Sequence, residues 1–203
     1  MNGSAAGKDR RSLLLLAAVG AGSLTGADAI GQIRAGKPDR LLTEKDRLDV
    51  GNRGPAMVER ARTLGREYEA KYGNCAQCTI AALQDAVEFL PADESAFLAG
   101  SCLSGGATAS GTANCGGFTG AGIVIGRLCG RTRAGFSDRA ANKLAAKLIR
   151  DVAGKFEQAY GSVLCKDVRE KSAKDCPEVV ARAAGWAAET ILAQFSNFTI
   201  RPT

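Results

Sequence analysis

The chain has 203 residues, 45% of them hydrophobic and 24% charged, a composition that supports one domain with a buried core. Only 5% are aromatic, so the core must be built from Ala, Leu, Val and Ile, which favours close-packed helices over a β-sandwich. With no histidine, Ser-His-Asp and Cys-His catalysis, His-bearing zinc sites and His-ligated haem are excluded; the net charge of +6 is spread without interleaved aromatics, which argues against a nucleic-acid partner.

Residues 1–29 read as a twin-arginine export signal. Arg10 and Arg11 precede an apolar run from Leu13 to Leu24, and Ala27-Asp28-Ala29 fits the small-x-small cleavage pattern. The run is too short, and too rich in Gly and Ala, for a membrane span, so no stable span is expected after cleavage. The expected location is the periplasm or exterior of a bacterial cell, where disulfides persist. Residues 30–54 are polar and irregular and read as a linker, with a short helix around Leu42–Leu48. The cysteine-bearing helical domain is expected over 55–198.

Met57, Val58, Ala61, Leu64 and Tyr68 stand at helical spacing and predict a helix over 55–71, broken by Gly73-Asn74. A second is predicted over 75–90, ended by Pro91, and a short third over 94–103. Seven glycines then crowd the stretch from Gly105 to Gly122, which argues for turns or close backbone approach. A helix over 116–128 follows, with Gly122 and Gly126 on one face as the expected contact for a neighbouring helix. Ser137 is expected to cap a long helix over 138–160 whose inner side carries Leu144, Ala145, Leu148, Val152 and Phe156. A turn over 162–168, a polar loop over 171–175 and a last helix over 177–195 complete the chain, with Trp186 as a packing residue. The expected fold is all-α, a compact bundle of four to six helices with a glycine-rich loop.

The seven cysteines are an odd number, which leaves at least one thiol over in any pairing. Cys75 follows Asn74, Cys115 follows Asn114, Cys165 stands three residues after Ser162, and Cys176 precedes Pro177-Glu178. Each of these four is therefore expected at a helix N-terminus. Free N–H groups and the helix dipole stabilise a thiolate there, lowering its pKa from about 8.5. Cys78 completes Cys75-x-x-Cys78, the spacing of redox pairs and of many metal sites. Cys102 and Cys129 fall at expected helix ends, and structural burial is the expected role of Cys129. Thr79 after Cys78 excludes a haem-attachment motif, and Thr112 after Gly106-x4-Gly111 leaves that stretch without a phosphate-loop lysine.

Asn74-Cys75-Ala76-Gln77, then Cys115-Gly-Gly-Phe-Thr-Gly120, then Gly161-Ser162 with Cys165, and last Cys176-Pro177 resemble, in that order, the C_GCAxxG_C_C family of redox-active proteins. The resemblance covers about residues 55–195. Gly117 stands where the family usually has Ala, and Cys78, Cys102 and Cys129 are additional to its four cysteines. Split-Soret cytochromes share part of this framework, but a chain without histidine or a haem-attachment motif is not expected to hold haem. The resemblance implies redox activity and names no reaction, so three readings stand side by side. In the first, a possible thiol–disulfide oxidoreductase or electron carrier, Cys115 and Cys75 are low-pKa thiolates and Cys165 and Cys176 form or resolve disulfides with an unidentified redox partner. In the second, Cys75, Cys78, Cys115, Cys165 and Cys176 supply thiolates to an iron–sulfur cluster, Cu(I) or Zn. In the third, disulfides staple a structural bundle.

Overall fold

The computed structural model describes residues 40–200; the expected export signal and the first part of the expected linker lie outside the described residues. Seven α-helices follow one another: α1 (Gly54–Tyr72), α2 (Cys75–Ala86), α3 (Glu94–Ala99), α4 (Gly116–Cys129), α5 (Lys143–Tyr160), α6 (Cys165–Lys171) and α7 (Cys176–Phe195). No strand occurs among the described residues, only two isolated backbone bridges, Leu48 with Ser196 and Asn114 with Leu164. The fold is all-α, as the composition implies. The helix count exceeds the expected range because residues 165–171 close as a helix, anchored by the fully buried Val168.

Helix α7 is the hub. It packs against α1, α2, α4 and α5, with α1 lying along much of its length. Ala181, Ala183, Ala184, Ala187 and Ala188 are buried on it, and these small side chains let several helices approach at once. Phe89, Phe156 and Phe195 are the largest of the fully buried side chains, each contributing roughly 1.5–3 kcal/mol of apolar burial. Trp186 packs edge-on to Phe156 at 5.2 Å between ring centroids and to Tyr160 at 6.1 Å, in the packing role expected of it.

Several boundaries differ from the expected ones, each for a local reason. The stretch over 40–53 is not a loose linker and holds no helix at 42–48; Leu42 and Val50 are buried in the core. Its amides reach the free carbonyls that helix ends leave over: Leu42 N donates to Leu128 O at 2.9 Å and Leu48 N to Phe195 O at 2.7 Å. Helix α5 starts at Lys143, not at 138, and Ser137 is not its cap. Asp138 Oδ1 accepts from Ala140 N at 2.8 Å instead and sets up a 3-10 turn over Ala140–Asn142. Helix α2 ends at Ala86, where Val87 turns extended, and the turn that follows sends Val87, Phe89 and Leu90 all into the core.

Candidate functional site

Each of the four motif cysteines opens a helix, and the backbone around each one shows why. Gly73 and Asn74 both take positive φ, 65° and 66°, which reverses the chain between α1 and α2. Asn74 Oδ1 then accepts from Gln77 N at 3.3 Å, capping α2, while its Nδ2 donates to Ser101 O at 3.0 Å. Cys75 is the first residue of that helix.

Cys115 and Cys165 are held side by side by main-chain pairing. Cys115 N donates to Val163 O at 2.8 Å and Cys165 N to Ala113 O at 2.9 Å, flanking the Asn114–Leu164 bridge. The two bonds flank Asn114 without using its own N–H or C=O, and Cys115 is the N-cap residue of α4. Cys176 opens α7 before Pro177, with Asp175 Oδ1 accepting from Glu178 N at 3.0 Å.

The glycine run brings α4 against the first turn of α2. A Cβ at Gly116 would overlap Cys75 Sγ, and one at Gly120 would stand 2.5 Å from Ala76 O. The close helix contact is therefore made by Gly116 and Gly120. Gly122 and Gly126, the expected pair, do not make it: Gly126 has nothing within 4 Å of a would-be Cβ, and Gly122 meets only Ile149 at ordinary contact distance.

Cys75, Cys115, Cys165 and Cys176 line one cavity of about 200 Å³, together with Glu69 from α1 and Arg169 from α6. Val168, Val179 and Val180 supply apolar wall, and Ser104 Oγ lies 3.6 Å from Cys75 Sγ. All seven cysteines are free thiols. Among the described residues, no group of three or more Cys, Asp or Glu is arranged to hold a metal ion.

Cys115, Cys165 and Cys176 are not the acidic thiols that their helix-start positions suggest. Burial pushes Cys115 up to about 12, with Cys75 adding to the rise, although the amides of Gly117 and Phe118 pull the other way. Burial also raises Cys165 and Cys176, again with Cys75 as a neighbour, and Arg169 opposes both shifts. The magnitudes explain this correction. A helix terminus contributes about 0.3–1 kcal/mol, less than one pKa unit, whereas burial shifts a group by up to 3–5 units. Cys115 is 5% exposed, so burial wins.

The other cysteines stand apart from the cavity wall. Cys78 points back to α1, where its Sγ donates to Gly73 O at 2.8 Å, and burial followed by the Glu69 charge pushes it up to about 12. Cys78 is not a lining residue of the cavity, although it packs with Cys75 against Val180. Cys129 is buried at the end of α4, with Sγ donating to Ile125 O at 3.4 Å, the structural place expected of it. Cys102 is exposed in the turn after α3.

Glu69 and Arg169 were not singled out by the sequence reading. A signal for Glu69 exists: Ala61, Gly65 and Glu69 are spaced by four, so a carboxylate occupies the next inward position of a buried helix face. Its Oε2 is buried with no hydrogen-bond partner, and burial raises its pKa. A larger hollow of about 460 Å³, near Leu90, Asp93 and Arg127, carries no cysteine. No helix among the described residues is long and apolar enough to cross a membrane.

The family model described as "Putative redox-active protein (C_GCAxxG_C_C)" matches residues 72–190, a span that takes in all four helix-start cysteines. Comparison with curated proteins and with solved structures gives no match.

Proposed function

Since the chain belongs to the C_GCAxxG_C_C family of redox-active proteins, we propose that its four-thiol cavity carries out dithiol–disulfide exchange with an external disulfide partner. The observation that carries this reading is the convergence of four sulfurs, from four separate helix starts, on one cavity of about 200 Å³. A cavity thiol attacks one sulfur of the partner disulfide, loses its proton and forms a mixed disulfide as the partner's other sulfur leaves as a thiolate. A second cavity thiol then attacks the mixed disulfide, closes an internal disulfide and releases the second partner sulfur. Two cavity thiols are oxidised by two electrons and the partner disulfide is reduced; the cycle runs in either direction according to the partner's potential.

The twin-arginine segment at Arg10-Arg11 and the Ala27-Asp28-Ala29 cleavage pattern support an exported site of action, where such a disulfide persists.

The test is a redox titration against glutathione couples over roughly −320 to −120 mV, with thiols trapped by alkylation and counted by mass. The expected result is reversible protection of two sulfurs drawn from Cys75, Cys115, Cys165 and Cys176. Four sulfurs that stay alkylatable throughout would sink the proposal, as would a coloured, metal-bearing protein on anaerobic purification.

A further inference from the structure

We infer that Cys176 is the cavity thiol that meets the partner disulfide first, and that Glu69 takes up its proton and returns it to the departing sulfur. This inference rests on the exchange reading above and assigns roles within that site.

Exposure separates the four sulfurs. Cys75, Cys115 and Cys165 are 6%, 5% and 3% exposed, whereas Cys176 is only half-buried. A partner disulfide approaching from solvent therefore reaches Cys176 before the others. Cys176 also opens the longest helix, α7, whose N-terminal amides favour negative charge on its sulfur once the proton has gone.

The proton needs a destination, since burial favours the protonated form of Cys176. Glu69 is the one carboxylate among the lining residues; its Oε2 is buried without a hydrogen-bond partner, while the Cys78 thiol stands within hydrogen-bonding reach of the carboxyl group and favours its charged form. Cys78 of α2 and Cys176 of α7 are near enough to feel its charge, and Cys75 of α2, Cys115 at the start of α4, and Cys165 and Arg169 of α6 line the same cavity. Cations elsewhere on the α1–α7 face are taken up by other acids: Arg66 and Arg182 both pair with Glu178, and Arg62 with Glu189. Glu69 is close enough to Cys176 for its charge to disfavour the thiolate. Burial raises the carboxyl pKa towards that of the thiol, which makes the proton transfer less uphill.

In the first step the Cys176 S–H bond breaks and its proton goes to Glu69. The sulfur's electron pair forms a bond to the nearer partner sulfur, and the partner S–S pair leaves on the far sulfur, which then takes the proton from Glu69. Cys75 and Cys165, both near enough to influence the ionisation of Cys176, are the candidates to resolve the mixed disulfide.

The experiment uses the full chain carrying Cys102→Ser, to remove the exposed thiol, with and without Glu69→Gln. Two probes are compared at neutral pH: bis(hydroxyethyl) disulfide, whose basic leaving thiolate needs a proton, and an aromatic nitrobenzoate disulfide, whose leaving thiolate does not. Glu69→Gln is expected to slow exchange with the aromatic probe by roughly tenfold, since only proton uptake from Cys176 is lost, and with the alkyl probe by roughly a hundredfold, since the proton for the leaving sulfur is lost as well. Glu69→Asp should recover part of the alkyl rate, and the first mixed disulfide should map to Cys176. Equal slowing with both probes would mean a merely structural Glu69, and faster exchange with both would mean a charge effect alone; either overturns the inference. So does a first mixed disulfide on Cys75, Cys115 or Cys165. If the Glu69-containing chain exchanges with neither probe, the exchange function itself fails.

Discussion

Replacing Gly120 with alanine sets two terms of known sign against each other. Alanine is about 1 kcal/mol better than glycine inside a helix. The added methyl, however, would lie 2.5 Å from Ala76 O and 3.0 Å from Thr79 Cβ, where carbon contacts ordinarily sit at about 3.5–4.0 Å. Ala76 O is backbone in the first turn of α2 and has no rotamer to change, so α2 must move by about 1 Å. Overpacking of this kind costs about 1–3 kcal/mol, and a backbone neighbour belongs at the upper end. The net loss is about 1–2 kcal/mol, which lowers the Tm by about 2–8 °C for a domain of this size. Gly126→Ala on the same helix is the control: it is exposed, nothing lies within 4 Å, and the same substitution should stabilise by about 0.5–1 kcal/mol. Thermal unfolding of the reduced chain measures both. Because the first turn of α2 also carries Cys75, Gly120→Ala should disturb the redox titration while Gly126→Ala leaves it alone. Two alanines that raise the Tm alike would show that Gly120 makes no tight contact with α2.

Three further outcomes follow from the same geometry. Burial pushes Cys78 and Cys115 from the ordinary 9.0 up to about 12 and Cys129 to about 11, so the folded chain holds these protons after the unfolded chain has released them. This contribution to stability is complete below about pH 9 and is lost as pH rises towards 12, by about 1.4 kcal/mol per pH unit for each thiol. Urea midpoints of the reduced protein should fall over that range, and fall less steeply in Cys115→Ala; a flat profile would contradict the burial argument. Asn74→Ala should cost about 1 kcal/mol for the lost cap and a further 1–2 kcal/mol, roughly, for a left-handed residue with a Cβ, while Asn74→Gly should cost only a few tenths. Equal urea midpoints for the two variants would show that φ at residue 74 is not what matters. Cys102→Ser should remove the first site alkylated in the reduced chain and leave the cavity titration unchanged, which mass analysis of quenched samples decides.

The helices were legible in the sequence wherever an apolar stripe was long enough to set a period, as in α1, α5 and α7. The helix-start positions of the four cysteines were legible too, because Asn74, Pro177 and the Gly161-Ser162 break are local signals that the fold did not override. What stayed hidden depends on distant contacts. Residues 40–53 look like a linker by composition, yet their amides satisfy carbonyls at the ends of α4 and α7, partners that no local window contains. Gly116 and Gly120 do the work expected of Gly122 and Gly126 because the face α4 turns to α2 is set by tertiary packing. The acidity of Cys115 was misread for the same reason. A helix N-terminus is visible in sequence, whereas the burial that outweighs it is not.

That reversal has a thermodynamic signature in the redox couple. When two protonated thiols close to a disulfide, two protons leave with two electrons, and the potential falls by about 59 mV per pH unit. The slope halves to about 30 mV once the more acidic thiol of the pair is already ionised. A helix-start thiolate of low pKa would place that break near or below neutrality. Cys115, Cys165 and Cys176 are all raised above the ordinary 9.0, so any pair drawn from these three should keep the full slope beyond pH 9. Titrations against a glutathione couple at several pH values measure the slope directly, and a break below about pH 8.5 in a pair mapped to these cysteines would show the helix termini prevailing over burial after all. A full slope has a mechanistic corollary: each turnover moves two protons at a cavity whose one lining carboxylate is Glu69.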